Sequence, residues 1–151
     1  MPEVEIKEVG IECLDEIRPL WERLNHHHAA VSEHFSEYFQ RFSFDQRKAG
    51  LETKTQHGIF RLFIARSNGQ LAGQCIISLG PDLIGEIDSL FVAEEFRNKK
   101  IGDSLMRAAL DWFDKNGATS KSIVVIHGNE SAHSFYARYG FLPRSTRLTQ
   151  I

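Results

Sequence analysis

The order of apolar and polar residues along the chain predicts regions of sheet and helix in alternation. Val4-Glu5-Ile6-Lys7-Glu8-Val9 alternates strictly, which suits a half-buried strand. Leu14, Ile17, Trp21 and Leu24 then recur at helical spacing, and Pro19 inside that run predicts a kink or a late start to the helix. A second helical region is expected from about Ser32 to Gly50, with Phe35, Tyr38, Phe39 and Phe42 on its apolar face. Ile59 to Arg66 and Leu71 to Leu79 read as strands, and the Asn68-Gly69 pair between them is a hairpin signal. Leu83 to Val92 reads as another strand. Ile101, Leu105, Ala108 and Trp112 share one face of a helix that Gly117 can end. Lys121 to Ile126 is a short buried strand. Glu130 to Tyr139 is a further helix, with Asn129 suited to cap it and Gly140 to stop it, and Phe141 to Thr149 is a last strand.

The predicted order is β-α-α-β-β-β-α-β-α-β. Three meandering antiparallel strands followed by two strand–helix units make an α/β protein on a mixed sheet. No repeat, low-complexity stretch or Pro/Gly/Ser linker interrupts it, so residues 1–151 are read as one domain. A chain of this length can bury one sizeable core.

Charge and composition narrow the classes. A formal net charge of −2 argues against a nucleic-acid partner, which usually demands a basic surplus. The acids in Met1-Pro2-Glu3-Val4-Glu5 stand where a secretory leader needs a positive region, and no stretch is long and apolar enough to span a membrane. A soluble, cytoplasmic protein is expected. Cys13 and Cys75 fit no metal or redox spacing and are read as core thiols, as Trp21 and Trp112 are read as core rings.

The stretch with most chemical content runs from Leu90 to Leu105. A strand ends at Leu90-Phe91-Val92, a short turn follows, and a helix opens after Arg97-Asn98-Lys99-Lys100-Ile101-Gly102-Asp103-Ser104. A helix start presents unpaired N–H groups and the positive end of its dipole, which suits a phosphate or pyrophosphate. Gly102 allows close approach to the backbone, and Arg97, Lys99 and Lys100 add charge. An ordinary solvated helix start has the same features.

The run resembles the acetyl-CoA signature of the GNAT N-acetyltransferase superfamily, Arg/Gln-x-x-Gly-x-Gly/Ala after an aliphatic-x-Val strand end. Arg97, Ile101 and Gly102 stand at matching positions, and Lys100 replaces the first glycine. A side chain there needs a compatible backbone conformation and should point outward or toward a phosphate. Downstream, Asn129-Glu130-Ser131-Ala132-His133-Ser134-Phe135-Tyr136-Ala137-Arg138-Tyr139-Gly140-Phe141 is similar to the family's Asn-x-x-Ala-x-x-Phe-Tyr-x-x-x-Gly-Phe at every named position. The resemblance covers about Leu71 to Phe141.

The resemblance implies a mixed sheet of six to seven strands whose splayed parallel pair holds coenzyme A. It implies transfer of acetyl from acetyl-CoA, as cosubstrate, to an amine acceptor, by direct attack in a ternary complex and without a metal. Tyr136 would be the general acid near the CoA sulfur, although its spacing with Phe135 and Tyr139 also suits a core face. Backbone N–H groups of Leu90-Phe91-Val92 would hold the oxyanion and the pantetheine arm, and Asn129 would touch that arm. Ser104 and Asp103 open the helix, where a hydroxyl can meet a phosphate.

Glu86 and Asp88 are two apart in a strand and so share a face. Counted from Val92, Glu86 falls where histone-type relatives place their glutamate and Asp88 where polyamine-type relatives place theirs. Either could be the base, a water chain could replace both, or both could be solvated acids. Their acidity slightly favours a cationic acceptor. His26-His27-His28 and His34 lack zinc-site partners; the resemblance, in which the first two helices border the acceptor site, implies that with Glu33, Tyr38 and Phe42 they select the acceptor, and His127 and His133 are expected at the surface or cleft edge. The resemblance allows a homodimer. The competing classes are a non-catalytic acyl-CoA-binding or sensor domain and a nucleotide-binding module; the latter lacks its glycine-rich signature.

Overall fold

A computed structural model describes residues 3–151; Met1 and Pro2, the start of the acidic N-terminal stretch, lie outside the described residues. Strand β1 (Val4–Val9) leads into a 3-10 turn (Ile11–Ile17) and helix α1 (Arg18–Val31). Pro19 delays the α-helix as expected: it occupies the first turn, where its missing N–H has no helical acceptor to lose. The expected second helical region is two helices, α2 (Ser36–Arg41) and α3 (Phe44–Lys54). The break falls at Phe42-Ser43, where the Ser43 hydroxyl accepts the Gln46 N–H and the Gln46 side chain accepts the Ser43 N–H, a reciprocal cap that starts α3 afresh.

Strands β2 (Ile59–Ser67), β3 (Gln70–Leu79) and β4 (Ile84–Val92) form an antiparallel meander. Asn68 and Gly69 turn the first hairpin with φ of 49° and 81°, the left-handed pair that a two-residue turn requires. Helix α4 (Ile101–Lys115) returns the chain to β5 (Ser120–Ile123), which lies parallel to β4, and helix α5 (His133–Ala137) follows a 3-10 turn (Glu130–Ala132). The sheet order is β1-β2-β3-β4-β5.

This is the mixed α/β architecture expected, with five strands among the described residues rather than six or seven. The last predicted strand, Phe141 to Thr149, is irregular and mostly exposed, with Leu142 and Leu148 in solvent. Pro143 lacks the N–H that a paired strand needs. The predicted helix Glu130–Tyr139 is shorter, and β5 stops at Ile123, so Val124 to Ile126 have left the sheet.

The core has two layers, one on each face of the sheet. Phe60, Leu62, Ile64 and Ile76 pack against Leu14, Ile17, Trp21, Phe44 and Leu51 of the N-terminal helical region. The alternate residues Phe63, Ala65, Cys75 and Ile77 pack with Ile101, Leu105, Met106, Ala109 and Phe113 of α4. Strands buried on both faces lose the polar–apolar alternation that β1 keeps. Trp112 is buried as expected; Cys75 is buried too, whereas Cys13 is only partly so.

Candidate active site

Strand β4 carries a bulge. Ser89 pairs with Ile76 and Ile87 with Ile77, so Asp88 is an extra residue with no partner on β3. Two consecutive residues, Asp88 and Ser89, therefore face the N-terminal helices, and Leu90 and Val92 turn to the α4 side. Beyond the bulge the Ala93 N–H donates to the Ala72 carbonyl at 2.8 Å. Hydrogen-bonded pairs alternate in an antiparallel ladder, so Phe91 and Ser89 spend their backbone groups on β3 and those of Leu90 and Val92 point the other way. The Val92 carbonyl, on that side, accepts Arg97 Nε at 3.1 Å.

On that other side β5 pairs with β4 only from Ile84↔Ser120 to Ile87↔Ile123. β4 continues to Val92 with no strand on this side among the described residues. The parallel pair thus separates at the bulge, leaving the N–H groups of Leu90 and Val92 along an open edge. Phe91 differs from its two neighbours: its backbone is committed to β3, and its ring is buried with Leu20 and Ala93.

At the far end of this edge the chain enters α4 through an irregular turn. Asn98 and Lys100 both take left-handed conformations, with φ of 65° and 61°. Lys100 caps the helix without a side-chain bond, and the Ser104 N–H is the first to bond back, to the Lys100 carbonyl. Ile101, Gly102 and Asp103 supply the N–H groups of the first turn, which have no helical acceptors. Arg97 lies over the Phe91 ring at 5.6 Å and Lys99 over Phe96 at 5.5 Å. Gly102 packs on α5: a Cβ there would sit 3.5 Å from the Phe135 ring. Ser104 and Asp103 point their side chains elsewhere. The Ser104 hydroxyl donates to the Lys100 carbonyl, and Asp103 accepts the Tyr139 hydroxyl and Arg138, tying α4 to α5. Those bonds, Tyr139's foremost, hold the Asp103 carboxyl below its ordinary range.

Tyr136 is buried on the α4 side beside Cys75, whose strand partner is Leu90. Burial pushes its phenol above the usual tyrosine range, with Cys75 adding to the effect, so the group is a protonated donor. Burial likewise holds Cys75 as a thiol.

Glu86 and Asp88 do share a face, but they are not free solvated acids. Lys54 Nζ lies 3.1 Å from Glu86 Oε1 and bonds Asp88 Oδ1 directly. Arg47 donates to the Asp88 carbonyl at 2.7 Å. The local acidity that favoured a cationic acceptor is therefore balanced by two cations of α3. Burial raises the Asp88 carboxyl above its usual range, while Lys54 and the nearby Ser78 hydroxyl pull the other way. Neither α3 residue is signalled by the sequence, because each lies more than 30 positions from the β4 groups it meets and no short-range spacing marks it.

Asn129 begins the 3-10 turn without capping it; its Oδ1 instead lies 3.1 Å from His27 Nε2, joining α1 to the loop before α5. Gly128 abuts α1 so closely that a Cβ would stand 2.1 Å from the Val31 carbonyl oxygen. His127 bridges Glu33 (3.4 Å) and Glu130 (3.1 Å), while His133 begins α5. Half-buried His28 packs on Phe39 at 5.6 Å, and desolvation pushes it down to about 4, so its ring is neutral. Tyr38 is exposed and stacks on Phe42. Between α1 and the end of β4 opens a cavity of about 580 Å³ lined by His26, His27, Arg23, Phe91 and Arg97 among others. Its rim is pinned by Arg23, which grips both Glu95 oxygens at 2.9 Å and pulls that carboxyl down to about 2. Among the described residues no group of three or more His, Cys, Asp or Glu side chains is placed to hold a metal ion, and no helix is long and apolar enough to cross a membrane.

An open parallel strand pair leading to a cationic helix start is the geometry of a known class. Residues 18–141 match the Acetyltransferase (GNAT) family, and the chain belongs to that family. It is 32% identical over 94 residues to an uncharacterized N-acetyltransferase of Chlorobaculum tepidum, covering 62% of this chain and 57% of that protein. It is 34% identical over 83 residues to N-alpha-acetyltransferase 30 of Schizosaccharomyces pombe, covering 52% and 55%. The curated relatives are thus matched over 26% to 57% of their lengths. Among solved structures, a GCN5-related N-acetyltransferase from Ralstonia eutropha superimposes with a TM-score of 0.76 at 17% identity, covering 99% of both chains. The PaiA N-acetyltransferase from Thermoplasma acidophilum, in complex with coenzyme A, gives 0.72 at 22% identity, covering 96% and 93%.

Proposed function

We propose that the protein is an N-acetyltransferase that passes acetyl directly from acetyl-CoA to a primary amine. The observation that carries this reading is the open edge of β4, where Leu90 and Val92 present backbone N–H groups between the bulge and the α4 turn. The N–H groups of Ile101, Gly102 and Asp103, with Arg97, Lys99 and Lys100 around them, suit the diphosphate of coenzyme A. Asn98 shapes that turn, Phe135 backs it through Gly102, and Asn129, tied to His27 of α1, would touch the pantetheine arm.

Acetyl-CoA supplies an activated thioester. The chain's own groups do the rest, from opposite faces of the sheet. Asp88 and Glu86 lie on the α3 face and are placed to take the acceptor's proton, which frees the nitrogen lone pair for attack. The Leu90 N–H, fixed in the strand, is the donor for the developing oxyanion; one such donor is typically worth about a hundredfold to a thousandfold in rate. Tyr136, on the α4 face, protonates the departing thiolate and recovers its proton from solvent. Buried Cys75 is held as a thiol, and Cys13 lies on the N-terminal 3-10 turn, so direct attack is favoured over an acetyl-enzyme.

Isothermal titration with acetyl-CoA tests the reading. Micromolar binding is expected for both the wild type and Tyr136→Phe, followed by thiol release with an amine panel that Tyr136→Phe slows by about a hundredfold or more. Binding without release by any amine would favour an acyl-CoA sensor. Absence of binding to any acyl-CoA ends the enzyme reading.

A further inference from the structure

Asp88 is in an unusual position for an acid. Its side chain is 1% exposed, one oxygen meets Lys54, and the other is buried without a hydrogen-bond partner among the described residues. The bulge puts it there, since the extra residue in β4 is directed at α3 instead of at a partner on β3. A buried carboxylate with no counter-charge takes up a proton or destabilises the fold. The groups around it are few. Lys54 and Arg47 come from α3, Glu86 from β4, and the Ser78 hydroxyl and Cys75 thiol from β3. Arg47 reaches only the backbone carbonyl, Cys75 is held neutral, and Glu86 repels a negative charge. Among the described residues around the carboxylate, only Lys54 brings it a positive charge by direct contact.

We propose that Lys54 is a positioning residue: its ammonium, clamped between Glu86 and Asp88, keeps the buried Asp88 side chain ionised and its unpartnered oxygen ready to accept a proton. Within the acetyltransferase reading, on which this role rests, that proton leaves the acceptor nitrogen, whose electron pair stays behind for attack. Lys54 is also 40% exposed, so it can follow Asp88 as the carboxylate changes charge.

The test is a titration of the whole chain labelled with ¹³C-carboxyl aspartate, with the Asp88 resonance identified by its loss in Asp88→Asn. Removing an adjacent opposite charge typically moves a carboxyl by about 1–3 pH units. The Asp88 midpoint is expected to rise by at least about one unit in Lys54→Met and to return to within about half a unit of wild type in Lys54→Arg. A midpoint that stays put in a folded Lys54→Met overturns the proposal, as does an equal rise in Lys54→Arg. Should Lys54→Met not fold, Glu86→Gln reports instead. Loss of the like charge, with Lys54 given wholly to Asp88, is expected to lower the midpoint, and an unchanged value overturns the role. The readout needs neither acetyl-CoA nor an acceptor, so its outcome is separate from that of the titration with acetyl-CoA.

Discussion

Lys100→Gly is expected to stabilise the protein. Lys100 has φ 61° and ψ 22°, the left-handed conformation, at the start of α4. For a residue with a Cβ this costs roughly 1–2 kcal/mol, which glycine escapes. Glycine also loses more freedom on folding, by about 0.4–1 kcal/mol. The difference is a gain of about 0.8 kcal/mol at the midpoints and at most about 1.6 kcal/mol, and the Lys100 side chain, exposed and in no ion pair among the described residues, forfeits nothing else. For a domain of this size 1 kcal/mol corresponds to about 2–4 °C, so Tm should rise by about 1–4 °C. Scanning calorimetry measures it, with Lys100→Ala as control, because alanine keeps the strained conformation. A rise in both variants, or a fall in Lys100→Gly, would refute the reasoning. The N–H groups that follow stay in place, so acetyl-CoA affinity should drop by no more than about fivefold, the worth of one exposed charge.

Two further expectations concern α1 and its neighbours. Gly128→Ala combines φ 103° with a Cβ 2.1 Å from the Val31 carbonyl and should lower Tm by several degrees; an unchanged Tm would mean that the loop does not rest on α1. His28 is held near 4 in the fold against 6.5 when free, so the unfolded chain binds its proton first. Stability from this group is therefore complete above pH 6.5 and declines as pH falls toward 4, a slope that denaturant titrations should show for the wild type and that His28→Gln should lack.

Much of the protein was legible in its sequence, and the reason is short range. Period two in β1, the Asn68-Gly69 turn, the face of α4 and the glycine stops at Gly117 and Gly140 depend on neighbours within a few residues, which are written consecutively in the chain. The two family motifs are local too, the first a strand end, turn and helix start and the second a 3-10 turn with the helix that follows it. Even the shared face of Glu86 and Asp88 followed from spacing. What the fold decided is what distant segments do to one another. The bulge at Asp88 arises from register between β3 and β4, and it determines that Leu90 and Val92, but not Phe91, face the opening. Lys54 reaches Asp88 across 34 positions, and His27 reaches Asn129 across 102, turning an expected cap into a tie between α1 and the loop before α5. The last predicted strand had suitable residues but no paired edge in the structure, since strand propensity is realised only when a neighbouring strand supplies the hydrogen bonds. Local pattern thus determined the elements and motifs, and the desolvation and pairing that give each carboxylate, phenol and amide its chemical state came only with the tertiary structure.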